Sequence, residues 1–119
     1  MLDRRNRGFL SESAVIRFME QNGFTLIVRN FSVHNVGELD AVMVRGDTVA
    51  VIEVKSRLSF DGDYSVSDII PKSKLSKIQK TTRILIGKYG LWDCNIVFLA
   101  GLVTHGKDGS VTKIDVIPM

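Results

Sequence analysis

The stretch that most constrains the fold is Gly37–Arg57, which reads GELDAVMVRGDTVAVIEVKSR. Two runs rich in Val, with Ile in the second, Leu39–Val44 and Thr48–Val54, flank the dipeptide Gly46-Asp47. Val and Ile favour strands, and a Gly-Asp pair suits a two-residue hairpin turn in which the glycine takes a positive φ. The sequence therefore predicts an antiparallel β-hairpin that turns at this dipeptide.

The turn also predicts which residues of the two strands face each other. Counting outward from it, Asp40 lies directly opposite Glu53, and Glu38 lies opposite Lys55. Like charges that face each other across two strands are destabilising. They suit a divalent cation, because Mg²⁺ takes oxygen ligands and often only one or two carboxylates. Side chains alternate along a strand, so Lys55 points to the same side as Glu53 and could act on a phosphate or a water.

An ordinary structural hairpin is the alternative interpretation of the same residues. In that case the acids pair with Lys55 and Arg57 or face the solvent. The apolar character of both faces nearer the turn, and the clustering of the charges at one end, favour the metal site.

Composition predicts a single soluble domain over residues 1–119, because the apolar fraction of 45% is enough for a core. The net charge of +3 and the pI near 9.2 lean only mildly towards polyanions. Cys94 is the only cysteine, no run reaches the roughly 18 apolar residues of a membrane span, and the first residues lack the apolar core of a signal peptide. We therefore expect a cytoplasmic protein without membrane partners.

The motifs of the hairpin resemble those of known proteins. The pattern D…E-V-K resembles the PD-(D/E)xK nuclease superfamily, although Leu39 stands where the superfamily has a proline. GELD followed by VIEVKSR, behind RN, resembles the bacterial UPF0102 (YraN-like) family, which is similar to archaeal Holliday-junction resolvases. The resemblance extends from about Gly8 to about Tyr89 and more weakly over the C-terminal strands. With the element order helix, strand, hairpin, helix, hairpin, it implies an α/β fold of restriction-endonuclease-like type, a mixed central β-sheet flanked by helices.

The resemblance also implies a site and a reaction. It implies a metal-dependent nuclease, with DNA the favoured substrate and Mg²⁺ or Mn²⁺ the cofactor. Asp40 and Glu53 would bind the metal with the Val54 carbonyl and Glu12, and Lys55 would complete the catalytic set. Glu12 has an ordinary alternative role, since an acid in the first turn of a helix is favoured by the helix dipole.

Two further expectations, one about oligomeric state and one about function, accompany the same resemblance. One is a homodimer, because symmetric cutting of two strands needs two copies of the site. The other is an alternative function, a non-catalytic nucleic-acid-binding module on the same fold.

A second helix, from Pro71 to about Tyr89, carries many lysines and could face nucleic acid or only solvent. Arg29 could bind phosphate or pair with an acid. The residues predicted to contact nucleic acid are Lys72, Gln79, Lys80, Arg83, Arg57 and Arg29.

The remaining elements are predicted from capping residues and turn signals. At the N-terminal end the sequence predicts a basic arm at Asp3–Gly8 and a first helix from the N-cap Ser11 to about Asn22. A strand Thr25–Asn30 and a loop Phe31–Val36 follow, and a long connection, Ser56–Ile70, follows the hairpin. The last predicted elements are the strands Asn95–Thr104 and Ser110–Ile117, with an exposed His105 in the turn between them.

Overall fold

The computed structural model describes residues 4–59 and 70–119, with side chains from residue 8 onward. Within these ranges the strands form one five-stranded sheet in chain order, with β3 and β4 parallel and the other pairs antiparallel. The expected α/β fold with a mixed sheet and flanking helices is confirmed. The elements are α1 (Arg4–Gln21), β1 (Thr25–Val33), β2 (Gly37–Arg45), β3 (Thr48–Leu58), α2 (Lys72–Tyr89), β4 (Asn95–His105) and β5 (Val111–Pro118).

The central strand β3 is covered on both faces, because α1 and α2 pack on opposite sides of the sheet. Val15 and Met19 of α1 share one buried cluster with Ile52 of β3. Ile78 of α2 shares the other cluster with Val51, the neighbour of Ile52 along the strand. A strand buried on both faces reads as a continuous apolar run, which is what VAVI shows.

The hairpin turn agrees with the prediction. Gly46 has a φ of 61°, and Arg45 pairs with Thr48 across the turn. The predicted register then holds over five residue pairs, up to Ala41 opposite Ile52. Turn chemistry and strand periodicity were therefore sufficient to place the two strands.

The first helix differs from its prediction, since α1 begins at Arg4 and includes most of the residues expected to form an arm. Ser11 is therefore not an N-cap but a buried residue inside the helix. Its Oγ lies 2.7 Å from Nε2 of His105, which is fully buried rather than exposed. The other ring nitrogen, Nδ1, lies 2.9 Å from the Gly109 carbonyl oxygen, which only accepts, so Nδ1 donates this hydrogen bond.

Two predicted loops are partly strand. The residues after Asn30 continue β1 as far as Val33, because Phe31 is buried in the core rather than placed in a loop. At the other position β3 continues to Leu58, paired with β4 along its whole length. The rest of the predicted long connection, residues 60–69, lies outside the described residues.

The second helix starts one residue later than predicted and ends where it was expected. Pro71 stands at the N-cap position with extended backbone, φ −65° and ψ 156°, and α2 starts at Lys72. The helix ends at Tyr89, followed by the left-handed Gly90, a usual helix-ending conformation for glycine.

Neither helix in the described ranges combines the length and the apolar character that crossing a membrane requires.

Candidate active site

The site is built at the open end of the β2–β3 hairpin, where the regular ladder stops. Beyond the Ala41–Ile52 pair, the Asp40 amide donates to Glu53 Oε2 at 3.2 Å, and the Val54 amide donates to Asp40 Oδ2 at 2.8 Å. Each carboxylate accepts from a backbone amide of the opposite strand. Asp40 and Glu53 therefore lie close together, although the ladder does not include the predicted direct pair of the two residues, and each side chain is held by a backbone amide.

The continuation of that register to Glu38 and Lys55 is wrong for the described ladder. The pairing between β2 and β3 ends at Ala41–Ile52, and beyond it the Val54 amide, which a continued ladder would have used, donates to Asp40 Oδ2 instead. Glu38 instead lies in a cleft beside the carboxylate pair, and Lys55 is exposed on β3.

Burial and charge make Glu53 resist ionisation. Its residue is only 2% exposed. Burial, then the charge of Asp40, then a hydrogen bond with the Asp40 carboxylate raise the pKa of Glu53 from 4.5 to about 8. The positive charge of Lys74 and the Asp40 amide act in the opposite direction. Near neutral pH Glu53 therefore keeps its proton more readily than an exposed glutamate does.

The backbone beside Asp40 is irregular. Asn30, which lies across from Asp40 on β1, has a left-handed φ of 56°, a conformation that asparagine tolerates better than most residues. On one side of this point Ala41 belongs to the α1 cluster, and on the other Leu39 belongs to the α2 cluster. Strict alternation would put Leu39 and Ala41 on the same face. The alternation is therefore interrupted at Asp40, between a residue that packs on the α2 side of the sheet and a residue that packs on the α1 side.

Glu12 reaches this region from α1 but is held by a cation. Arg29 forms an ion pair with Glu12 at 3.3 Å and donates to Ser13 Oγ at 2.9 Å and to the Phe9 carbonyl at 2.8 Å. Burial, then the charge of Asp40, raise the pKa of Glu12, while Arg29 lowers it. Glu12 is thus close enough to Asp40 for the charge of Asp40 to raise its pKa. The acid-pairing alternative for Arg29 is confirmed, and its contact with nucleic acid stays a prediction.

Among the described residues, Asp40 and Glu53 are the two acids linked by hydrogen bonds at this point. Within residues 4–59 and 70–119, no three side chains of the His, Cys, Asp and Glu types are grouped closely enough to hold a metal ion. The metal roles predicted for Asp40, Glu53, Glu12 and the Val54 carbonyl therefore stay predictions.

A cleft of about 460 Å³ opens beside the carboxylate pair, between the hairpin and α2. The helix approaches closely at Gly37, where a Cβ would lie 2.6 Å from Thr81 Oγ1, so only glycine fits without a shift. The residues that line the cleft are Gly37, Glu38, Asp40, Glu53, Ser73, Lys74, Lys77 and Ile78.

Sequence reasoning missed Lys74 and Lys77. Helical geometry separates successive residues by roughly 100°, so counted from the buried Ile78 both lysines lie on one flank of α2. Lys72 and Gln79 lie on the other flank. The signal that could have found the lysines was Gly37, since a glycine in a strand often marks a close backbone approach.

The other residues predicted to contact nucleic acid lie away from the cleft lining. Arg83 shares the flank of Lys72 and Gln79, and Lys80 lies on the side of α2 opposite Ile78; all four are exposed. Arg57 lies further along β3, with its Nε 3.4 Å from Thr104 Oγ1. Their contacts with nucleic acid stay predictions.

The fold and the carboxylate pair define an α/β domain with a candidate metal centre at the open end of a hairpin. The model of the uncharacterised protein family UPF0102 matches residues 11–119, and the chain belongs to this family. The resemblance drawn from GELD and VIEVKSR is therefore confirmed.

Individual relatives carry the same family description. A UPF0102 protein of Acinetobacter baylyi is 31% identical over 83 residues, 69% of this chain and 57% of that protein. One from Acetivibrio thermocellus is 25% identical over 98% of this chain and 89% of its own length. One from Campylobacter jejuni is 33% identical over 71% of each chain. These similarities give the family, and the family description states no function.

Proposed function

We propose that the protein is a metal-dependent nuclease that hydrolyses phosphodiester bonds of nucleic acid, with DNA the favoured substrate. The observation that supports this most is the pair formed by the buried Glu53 and the half-buried Asp40 beside an open cleft. Two carboxylates placed against each other in a buried site repel unless a proton or a cation lies between them. A site that serves only stability would gain from apolar residues at these positions.

The donor atoms of the pair fit Mg²⁺ or Mn²⁺. Each carboxylate uses one oxygen, Asp40 Oδ2 or Glu53 Oε2, to accept from a backbone amide. Without a cation the two carboxylates also share a hydrogen bond. We propose that a hard cation replaces the proton of that bond and binds carboxylate oxygens of both residues, and such a cation commonly completes its shell with water and substrate phosphate. We propose the Val54 carbonyl and Glu12 as supporting groups.

The surrounding residues would act on the substrate. A bound divalent ion lowers the pKa of a coordinated water and offsets charge on the phosphate. Asp40 and Glu53 would fix its position, because their hydrogen bonds to the backbone restrict both side chains. Lys55 is exposed at the same end of β3 and would neutralise negative charge that develops on the phosphate.

A cleavage panel tests the proposal. Labelled junction, flap, single-stranded and duplex DNA, with matched RNA, are incubated with Mg²⁺, Mn²⁺ or EDTA. We expect cleavage of at least one substrate by the wild type with metal, and none by Glu53→Gln or Lys55→Ala. Arg17→Ala removes an exposed cation from α1, on the other side of the sheet, and should cut normally.

Two outcomes of the panel would contradict the nuclease. Binding without any cleavage would favour the alternative, a nucleic-acid-binding module on the same fold. Cleavage that Glu53→Gln leaves unchanged would place the reaction elsewhere or in a contaminant.

Two further features belong to the proposal. We place the protein in the cytoplasm, where the lone Cys94 would stay reduced. We also propose a homodimer for substrates that need a cut in each strand, and light scattering with and without a junction substrate measures its mass.

A further inference from the structure

The wall of the cleft that faces the carboxylates is basic. Lys74 and Lys77 lie three residues apart on α2, so their Cβ atoms are roughly 5–6 Å apart on one helix face. Ser73 adds a hydroxyl on the same wall. Both lysines are exposed, and Lys74 acts electrostatically on Glu53 across the cleft.

We propose that Lys74 and Lys77 form a phosphate-binding wall, which holds the backbone of one nucleic-acid strand against the Asp40–Glu53 pair. The identity of the ligand as nucleic acid rests on the proposed function. A lysine ammonium binds phosphate as a point charge that adapts to several positions. Two of them spaced by one helical turn engage neighbouring phosphates of a single strand without reading its bases.

The charges of the cleft connect this wall to the metal. Its lining carries three acids, Glu38, Asp40 and Glu53, against the two lysines. Without a cation the acids that are ionised oppose the entry of a phosphate. A divalent ion reverses that balance, so the metal and the phosphate should each strengthen the binding of the other, as linkage requires.

Two exposed cations away from the cleft provide a matched control. Arg17 of α1 and Lys107, in the turn between β4 and β5, are exposed and do not line the cleft. The double change Arg17→Ala/Lys107→Ala removes as much charge as Lys74→Ala/Lys77→Ala. Any difference between the two variants therefore reports the position of the charges rather than net charge.

The test is the salt dependence of binding, measured by fluorescence anisotropy with labelled single-stranded and duplex DNA. Ca²⁺ is present as the divalent ion, and the same titrations are repeated in EDTA. For Lys74→Ala/Lys77→Ala in Ca²⁺ we expect weaker binding. The slope of log affinity against log salt should become shallower by about 1.8 on duplex or about 1.4 on single-stranded DNA. Lys74→Arg/Lys77→Arg should keep the wild-type slope, and thermal melts confirm that each variant is folded.

Three results would contradict the proposal of a phosphate-binding wall. The first is an unchanged slope and affinity in Lys74→Ala/Lys77→Ala. The second is an equal loss in the Arg17→Ala/Lys107→Ala control. The third is a wild type that binds no nucleic acid, which would overturn the proposed function as well.

This test and the cleavage panel fail separately, because binding in Ca²⁺ needs no hydrolysis. If the salt slope confirms the phosphate-binding wall but the protein cleaves no substrate, the binding site is supported and the nuclease is contradicted. If the protein cleaves nucleic acid but its salt slope does not change in Lys74→Ala/Lys77→Ala, only the phosphate-binding wall is contradicted.

Discussion

The two ends of the β2–β3 hairpin are made of the same strands but are held together differently. From the turn to the Ala41–Ile52 pair, the strands form a regular antiparallel ladder of mostly buried apolar residues. One residue further out, the carboxylates of Asp40 and Glu53 accept from backbone amides of the opposite strand. The turn end shows what a hairpin needs for stability, and the open end shows an arrangement that stability alone does not explain.

The difference has a physical consequence for each end. Apolar burial contributes stability whatever the pH or the metal concentration, whereas an acid pair with Glu53 buried responds to pH and, if it binds a cation as we propose, to metal. Changes at the turn end should therefore alter stability alone, and changes at the open end should alter the response to protons and divalent ions. The predictions below separate the two ends, from the largest expected effect to the smallest.

Met43→Ala should give the largest effect. Met43 is fully buried nearer the turn, in the cluster that packs against α1. Removing its side chain leaves a cavity, and we expect the free energy of unfolding to fall by about 2–5 kcal/mol. Urea melts should give the same loss in EDTA and in Mg²⁺. A loss that Mg²⁺ largely repaired would show that the turn end is not independent of the site.

The metal-free protein should lose stability as the pH rises from about 4.5 towards 8. Over this window the folded state keeps a proton on Glu53, whose pKa is raised to about 8, while the unfolded state has released it. Folding then takes up a proton, so the stabilisation is complete below about 4.5 and is lost as the pH approaches 8. One proton corresponds to a slope of at most about 1.4 kcal/mol per pH unit.

Glu53→Gln is the control for that slope, because glutamine does not titrate and keeps an oxygen for the Asp40 amide. Urea melts in EDTA at several pH values should show a flatter profile for this variant than for the wild type. Identical profiles would mean that Glu53 does not carry the proton.

Gly46→Ala should produce a smaller loss, confined to the turn. A left-handed conformation costs an alanine roughly 1–2 kcal/mol, partly offset by the reduced freedom of the unfolded chain. With a φ of 61° and open space around the Cα, we expect about 1 kcal/mol lower stability. Gly46→Asn should lose less, because asparagine tolerates this conformation. A changed Mg²⁺ response in either variant would argue against the separation of the two ends.

The same contrast explains how much the sequence could predict. The turn, the register and the meeting of Asp40 with Glu53 follow from local turn chemistry and the two-residue period of a strand. The end of the ladder does not follow, because it depends on side chains that replace backbone acceptors. The left-handed Asn30 was also missed, since no pattern in the strand marks it.

Contacts between distant segments account for the other differences. His105 was expected to be exposed, but its partner Ser11 lies 94 residues away in the chain. In the sequence, no pattern distinguishes Lys74 and Lys77 from the other lysines of α2. Only the packing of that helix against Gly37 shows which flank faces the acids.

Asp40→Asn tests the open end with almost no change of shape. Asparagine keeps an oxygen that can accept from the Val54 amide, now 2.8 Å from Asp40 Oδ2, but removes the charge that faces Glu53. In EDTA we expect the variant to be as stable as the wild type or more stable, by up to about 1 kcal/mol. It should also lose the response to metal.

Thermal and urea melts of the wild type and Asp40→Asn, each in EDTA and in excess Mg²⁺, therefore test the metal site most directly. An ion that binds only the folded state at 100 times its dissociation constant stabilises it by about 2.7 kcal/mol. We expect that gain in the wild type and not in the variant. If Asp40 were instead one half of a buried ion pair, the variant would lose roughly 3–5 kcal/mol in EDTA. That loss, with no Mg²⁺ response in the wild type, would contradict the metal site and the nuclease proposed from it.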